Sequence, residues 1–354
     1  MHSKLWILRD IDPTQRAALA QALSISSATA SLLMARGVTT LDEATAWMSP
    51  GKTHDPFLIP DMGKAVERLH RAILQQERIC FYGDYDVDGM SATSIYLSFF
   101  RGMGANASAY VPHRVREGYG LNEGAIRKLA GEGVTLLVTS DCGTTSHHEI
   151  AVANQLGLDV IVTDHHQTDE DLPPALAVMN PHRRDARYPF RGLCSGGLAY
   201  KVAGAYEATY GPGSVTLESL LDLVALSTIA DVVPLQDENR TFVRDGLAQI
   251  SRGARCGIRA LKQVSGVTKP CTAETIAFKL APRLNAAGRM DEAIKGVQLL
   301  TTESESDAKQ LANELDHLNR TRQQLEAEIM REALAVVESG ELPGALVVAS
   351  RRWH

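Results

Sequence analysis

The 354-residue chain has no uninterrupted apolar run of about 18 residues, so no segment is a candidate for a membrane-crossing helix. Its start, MHSKLWILRD, sets charged residues on both sides of a short apolar run and has no cleavage-type segment, so we expect no signal peptide. Cysteines number only five (Cys80, Cys142, Cys194, Cys256, Cys271), an odd count with no C-x-x-C spacing. Neither a disulfide framework nor a zinc knuckle is supported, and a reducing, cytoplasmic setting is expected. Basic residues are also in deficit. Thirty-six Lys plus Arg against 42 Asp plus Glu give a net charge of −6, so any nucleic-acid site must be a local patch. Internal repeats and low-complexity tracts are absent. With 44% hydrophobic and 22% charged residues the composition is that of a globular protein, and the length predicts two to three domains at about 150 residues each.

The first sixty residues read as small helices over 13–24 and 26–36, with Gly37 as a stop. Pro50, Gly51, Pro56 and Pro60 then mark a boundary loop. From residue 78 short apolar runs (Ile79–Tyr82, Ala109–Val111, Thr135–Val138, Val160–Val162 and Leu176–Met179) alternate with helical stretches at 91–102, 122–131 and 145–156. Runs of this kind, rich in Val and Ile and spaced by about 25 residues, predict an α/β fold: a parallel sheet with helices on both faces. After Gly213 the pattern is helical. Thr302-x-x-Glu305 resembles a capping box, and the rhythm of Leu311, Leu315, Leu318, Leu325, Ile329 and Val336 predicts one helix of about 36 residues, roughly 54 Å long. Such a helix suits a spacer. Beyond it lie one strand-like run, Ala345–Ala349, and Arg351-Arg352-Trp353-His354. The expected divisions are an N-terminal helical segment (1–60), a catalytic domain (61–300), a connecting helix (301–340) and the beginning of a second domain (341–354).

The densest acidic motif is Asp84-Tyr85-Asp86-Val87-Asp88-Gly89. An EF-hand loop begins in this way, but Ile95 falls where its bidentate Glu is needed, and a strand precedes the motif. Asp84 and Asp86, two apart at the end of an extended segment, can point to one side, whereas Asp88 is expected to cap a helix starting near Ser91. Two further strands end similarly, at Asp141-Cys142-Gly143 and at Asp164-His165-His166. In a parallel sheet these carboxyl ends share one rim, where open α/β folds place their sites. His147-His148 opens a helix and is expected to be solvated. Asp231 closes the apolar helix Leu220–Ala230, against the preference of a helix C-terminus for cations. A metal facing it would offset that cost. Carboxylate and imidazole without thiolate favour Mn²⁺ or Mg²⁺, and two such ions suit in-line phosphoester hydrolysis.

Asp164-His165-His166, taken with GDYDVDG, DCG and the late Asp231, resembles the DHH phosphoesterase superfamily. Within it the likeness is to the RecJ family of bacterial single-stranded-DNA-specific 5′→3′ exonucleases. It extends along WILRDID, ARGVTT, DPFLIPDM, VPHRVREGYGLN, NPHRRDARYPF, STIADVVPL and PRLNAAGRM. The resemblance implies that Asp84, Asp86, Asp141, His165 and Asp231 are metal ligands for two Mn²⁺ or Mg²⁺ ions. It implies that His166 contacts the scissile phosphate, that Asp164 orients the histidines, and that Asp88 is not a first-choice ligand. Arg114 and the pair Arg283 and Asn285 would touch DNA phosphates, and the turn Ser195-Gly196-Gly197 could offer backbone amides to one. Arg183 and Arg184 are further candidates for the strand. The family also implies roles in DNA repair and recombination, with a single-strand-binding protein and a recombination helicase as partners. The alternatives are another DHH phosphoesterase, acting on oligoribonucleotides or cyclic dinucleotides, and a non-catalytic scaffold of the same fold.

Overall fold

The computed structural model describes residues 9–48, 51, 53–114, 116–290, 293–338 and 344–353. Three short helices come first: α1 (Pro13–Ala22), α2 (Ser27–Ala35) and α3 (Leu41–Met48). Asp12 and Ser26 cap the first two by accepting from the otherwise unpaired amides of Thr14, Gln15 and Thr29. Leu19, Ala30, Leu33, Val38 and Ala44 make a small core of their own. The expected breaker loop is stitched to the main body. Gly51 N donates to Thr241 Oγ1 and His54 N to Glu238 Oε2, while Asp55 caps a short turn at Pro56–Leu58. Pro50 lies outside the described residues.

The main body begins with α4 (Met62–Leu74), β1 (Arg78–Gly83), α5 (Val87–Gly102), β2 (Asn106–Tyr110), α6 (Glu123–Gly131), β3 (Val134–Ser140), α7 (His147–Gln155), β4 (Asp159–Thr163) and β5 (Ala177–Met179). All strand pairs are parallel, in the order β2-β1-β3-β4-β5. The strand period of two sorts the side chains between two cores. Ile79, Phe81, Leu136, Val138 and Ile161 meet Phe99, Phe100, Leu198 and Leu223 on one face. Cys80, Tyr82, Leu137, Val160 and Val162 meet Ile126, Leu129 and Ile150 on the other. Each such side chain contributes about 1.5–3 kcal/mol on burial, so neither face can be uncovered cheaply. This is the doubly covered parallel sheet that the sequence predicts.

Helices follow: α8 (Ser195–Tyr210), α9 (Leu221–Ala230), α10 (Asp237–Arg252), α11 (Cys256–Val264), the three-residue α12 (Ala273–Thr275), α13 (Ala281–Arg289), α14 (Ile294–Thr301) and α15 (Glu305–Glu338). The last has 34 residues, about 51 Å. Its start differs from the expected capping box. Asp307 N donates to Ser304 Oγ, so Ser304 caps the helix, and Thr302 Oγ1 accepts from Ser304 N one step outside. Ala308, Ala312 and Leu315 are buried, whereas Met330, Leu334 and Val336 face solvent. The run Ala345–Ala349 is irregular and pairs with no strand among the described residues; Trp353 Nε1 and Arg352 instead return to Glu332 on α15. Residues 341–343 and His354 lie outside the described residues. Among the described residues no single helix is long and apolar enough to cross a membrane.

Candidate metal centre

Three strands deliver acids to one rim by extending their ladders one bond further. Asp84 N donates to Ser140 O, Asp141 N to Thr163 O and Asp164 N to Met179 O, at 3.1, 3.1 and 3.2 Å. Asp141 sits in the left-handed region (φ +69°), a conformation that Asp tolerates better than most residues. Asp86 precedes α5, and Asp231 closes α9. His165 Nε2 lies 3.2 Å from Asp141 Oδ1, 3.4 Å from Asp88 Oδ2 and 3.6 Å from Asp231 Oδ2. Asp84, Asp86 and Asp141 form a second group whose oxygens lie within 4.8 Å of one another. Asp141 therefore belongs to both groups.

Like charges this close raise one another's pKa, and burial adds to the effect. Burial, then Asp86, pushes Asp84 up to about 7. Burial, then Asp88 and Asp86, pushes Asp231 up to about 7. Asp86 is raised by burial and Asp88, and Asp141 well above the usual range by burial and four neighbouring carboxylates. Asp164 behaves oppositely. Burial raises it, but hydrogen bonds and charge from His166, with amides of His166 and Thr144, outweigh that and hold it low. Its Oδ1 accepts from His165 N, His166 N and His166 Nδ1, the last at 2.7 Å, and its Oδ2 from Thr144 N. The Asp164 hydrogen bond in turn raises the pKa of half-exposed His166 against the effect of burial.

Several expected placements are corrected. Asp86 is the cap of α5, accepting from Asp88 N and Gly89 N, so the helix starts at Val87, four residues before the expected start at 91. Asp88 is no cap. It is buried beside His165 and closer to the cluster than its expected role allows. The amides of Ser195 and Gly196 are not free for a phosphate, because both donate to Asp88, and Gly197 N donates to Cys194 Sγ. Ser195 Oγ donates to Asp141 Oδ1 at 2.9 Å. Arg283 is bound to Asp316 and Lys279 O, and Asn285 Oδ1 accepts from Val87 N. Buried Arg183 is tied to Asp61 and Asp185, and Arg184 to Glu170. Arg114 is exposed over the Tyr85 ring at 5.0 Å, and Arg184 also stays exposed beside an equally exposed Glu170. His148 is exposed against Glu123, as expected, whereas its neighbour His147 is half-buried. Tyr119, not singled out from sequence, donates to Asp141 O and reaches His166 Nδ1 at 3.4 Å. With His166 and Thr144 it lines a cleft of about 470 Å³.

The donor set fits a divalent cation. Asp84 Oδ1 and His165 Nε2 are buried without a hydrogen-bond partner, a costly state that a cation between carboxylate and imidazole would relieve. Oxygen and imidazole ligands without thiolate suit Mn²⁺ or Mg²⁺.

The model of the DHH family, N-terminal domain, matches residues 78–228, the stretch carrying the sheet, Asp84 through His166 and the start of the helical half. This defines the class. The single-stranded-DNA-specific exonuclease RecJ of Bacillus subtilis is 40% identical over 353 residues, 99% of this chain and 44% of that protein. A crystal structure of exonuclease RecJ bound to manganese is 35% identical with a TM-score of 0.72, over 78% of this chain and 70% of that one. RecJ of Thermus thermophilus in complex with Mn²⁺ is 30% identical with a TM-score of 0.79, over 92% and 47%. The chain belongs to the RecJ family. It spans about half the length of the curated relatives it matches.

Proposed function

We propose that this chain carries the catalytic unit of a metal-dependent exonuclease that removes nucleotides from the 5′ end of single-stranded DNA, in repair and recombination. The observation behind this reading is the double acid cluster sharing Asp141, in a chain whose relatives are named single-stranded-DNA-specific exonucleases. Solved relatives contain Mn²⁺ and Mg²⁺, and the same ions are proposed here. Asp141, His165, Asp231 and Asp88 would hold one ion, and Asp84, Asp86 and Asp141 the other. When bound, such ions supply a nucleophilic water at neutral pH and neutralise charge on the phosphate.

The remaining work falls to the chain's own groups. Asp164 locks His166 through Nδ1, leaving Nε2 to face a phosphate oxygen, and its buried charge favours the imidazolium. Tyr119 braces the same ring and the backbone of Asp141. Arg114 over Tyr85 supplies an exposed cation and an aromatic face close to the acids, the pairing that single strands use. Residues 61–300 are read as the catalytic unit and 301–340 as a spacer. A reducing cytoplasmic setting, and a single-strand-binding protein and a recombination helicase as partners, complete the proposal.

The test is hydrolysis of a 5′-phosphorylated single strand with Mn²⁺, beside the same sequence as duplex and an RNA dinucleotide. Release of mononucleotides from the single strand alone is expected. Cleavage of the dinucleotide with the DNA strand left intact would overturn the exonuclease reading in favour of an oligoribonuclease.

A further inference from the structure

Asp88 is 1% exposed, and its carboxylate is filled almost completely from within the protein. Its Oδ1 accepts from Gly196 N at 2.9 Å and from the hydroxyl of Ser227. Its Oδ2 accepts from Ser195 N at 2.8 Å. A carboxylate offers about four lone-pair sites, two on each oxygen. Three are therefore occupied, and the fourth is on Oδ2, the oxygen 3.4 Å from His165 Nε2.

The direction of the Ser227 proton follows from its neighbours. Gly196 N donates to Ser227 Oγ at 3.2 Å, and Cys194 Sγ lies 2.9 Å away. A carboxylate can only accept, so the serine proton points to Asp88. The packing is close enough to fix this arrangement. A Cβ on Gly196 would collide with both Oγ and Cβ of Ser227, so only glycine admits this approach of α8 to α9. The first turn of α8 thus holds the Asp88 carboxylate where a helix N-terminus elsewhere would hold a free anion.

We infer that Ser227 is a positioning residue that restricts Asp88 to a single ligand oxygen, Oδ2, and so sets which divalent cation the His165–Asp231 half of the site accepts. The inference rests on the two-cation reading above. The chemical logic is one of coordination number. Mg²⁺-sized ions demand tight octahedral geometry, with one oxygen from each carboxylate, whereas Ca²⁺ takes six to eight oxygens and accepts carboxylates through both. With the serine hydroxyl removed, Oδ1 loses a partner, and the carboxylate gains freedom to turn and present a second oxygen. The site then becomes more tolerant of Ca²⁺ and less exacting for Mn²⁺.

The experiment is calorimetric titration of the chain with Mn²⁺ and, separately, Ca²⁺, for wild type and Ser227→Ala, with metal-free thermal melts to follow the fold. The ratio of Mn²⁺ to Ca²⁺ affinity at one site is expected to fall about tenfold, the scale of an outer-partner loss, while the other site keeps its ratio. In an Asp88→Asn background Ser227→Ala should have no further effect on that ratio, because the serine acts through Asp88. Ser227→Cys preserves volume with a weaker donor and gives the same direction should the alanine variant not fold. A ratio unchanged in the serine variants, whether both ions weaken alike or neither does, overturns the inference. So does full additivity with Asp88→Asn. Wild type taking up no Mn²⁺ sinks the two-cation reading itself, and this inference with it.

Discussion

Both ends of the one sheet carry acids, two at one and six at the other, and treat them oppositely. At the amino ends, Glu77 stands just before β1 and Asp159 opens β4, and buried Arg68 from α4 reaches both at 2.6 Å, with Thr135 adding a hydroxyl to Glu77. At the carboxyl ends Asp84, Asp86, Asp88, Asp141, Asp164 and Asp231 converge, and among the described residues no Lys or Arg is ion-paired with any of them. Two histidines are the only groups among the described residues that ion-pair with them. One end is a finished structural network, and the other leaves crowded, buried carboxylates that positive charge from outside would balance. Compensation, not acid content, separates a structural carboxylate from one kept for chemistry.

The sharpest way to break this contrast is Asp141→Asn, which keeps a residue tolerant of φ +69° while removing the charge shared by both groups. Hydrolysis should fall by more than the roughly 10–100-fold typical of losing an outer partner. The metal-free melting temperature should rise, because one of several repelling carboxylates is gone, and the stabilisation conferred by Mn²⁺ should vanish. Unchanged manganese affinity by calorimetry would remove the shared-ligand assignment. Arg68→Met is the converse case at the other end. It strands Glu77 and Asp159 and should cost about 3 kcal/mol by urea unfolding, at the low end for a broken buried pair because Asp159 is partly exposed. Manganese affinity should not change, and a loss there would mean that the two ends are coupled.

A smaller effect is expected with pH. Asp84 and Asp231 are raised to about 7 in the folded chain, first by burial and then by neighbouring carboxylates, against about 3.9 unfolded. The metal-free fold therefore binds extra protons between about pH 4 and 7 and loses stability as pH rises through that window. Burial raises Glu77, but hydrogen bonds from Arg68 and Thr135, with the Arg68 charge, hold it below its ordinary value. Its contribution is complete above about pH 4.3 and is lost as pH falls through its folded value. Metal-free stability should therefore peak at pH ~4, where the Glu77 contribution is nearly complete and the loss from Asp84 and Asp231 begins, and saturating Mn²⁺ should move the peak toward neutrality. Melts across pH with and without the ion will show this. A metal-free peak already at neutrality would mean that the carboxyl end is compensated in some other way.

The sheet was legible in the sequence because its signals are local: the runs Leu136–Val138 and Val160–Val162 stop at Thr-Ser-Asp and Thr-Asp, and strand periodicity needs no distant partner. The convergence of Asp84, Asp141 and Asp164 followed from parallel pairing alone. Asp88 was misplaced because its partners are distant in sequence: Ser195 N, Gly196 N and Ser227 Oγ, the last 139 residues away, all donate to it. Arg183 and Arg283 read as phosphate contacts until Asp61 and Asp316 closed on them from 122 and 33 residues away. The amides at 195 and 196 likewise carried a correct signal for an anion. The anion is a side chain of the same protein.

Arg283 and Asn285 stand two residues apart on α13. The first grips Asp316 at 2.9 Å on the packed half of α15, and the second accepts from Val87 N, between Asp86 and Asp88. Gly288 lays the same short helix against Tyr85 with no room for a side chain. Past buried Asn319, the 19 residues to Glu338 run on as a rod of about 28 Å with no buried residue. Mechanically this is a lever: a tilt of about 5° at Asp316, about 33 Å from Glu338, moves the far end by about 2.9 Å. Asn285, two residues beyond the Arg283–Asp316 contact, thus ties the packed half of α15 to the segment that starts α5 between Asp86 and Asp88.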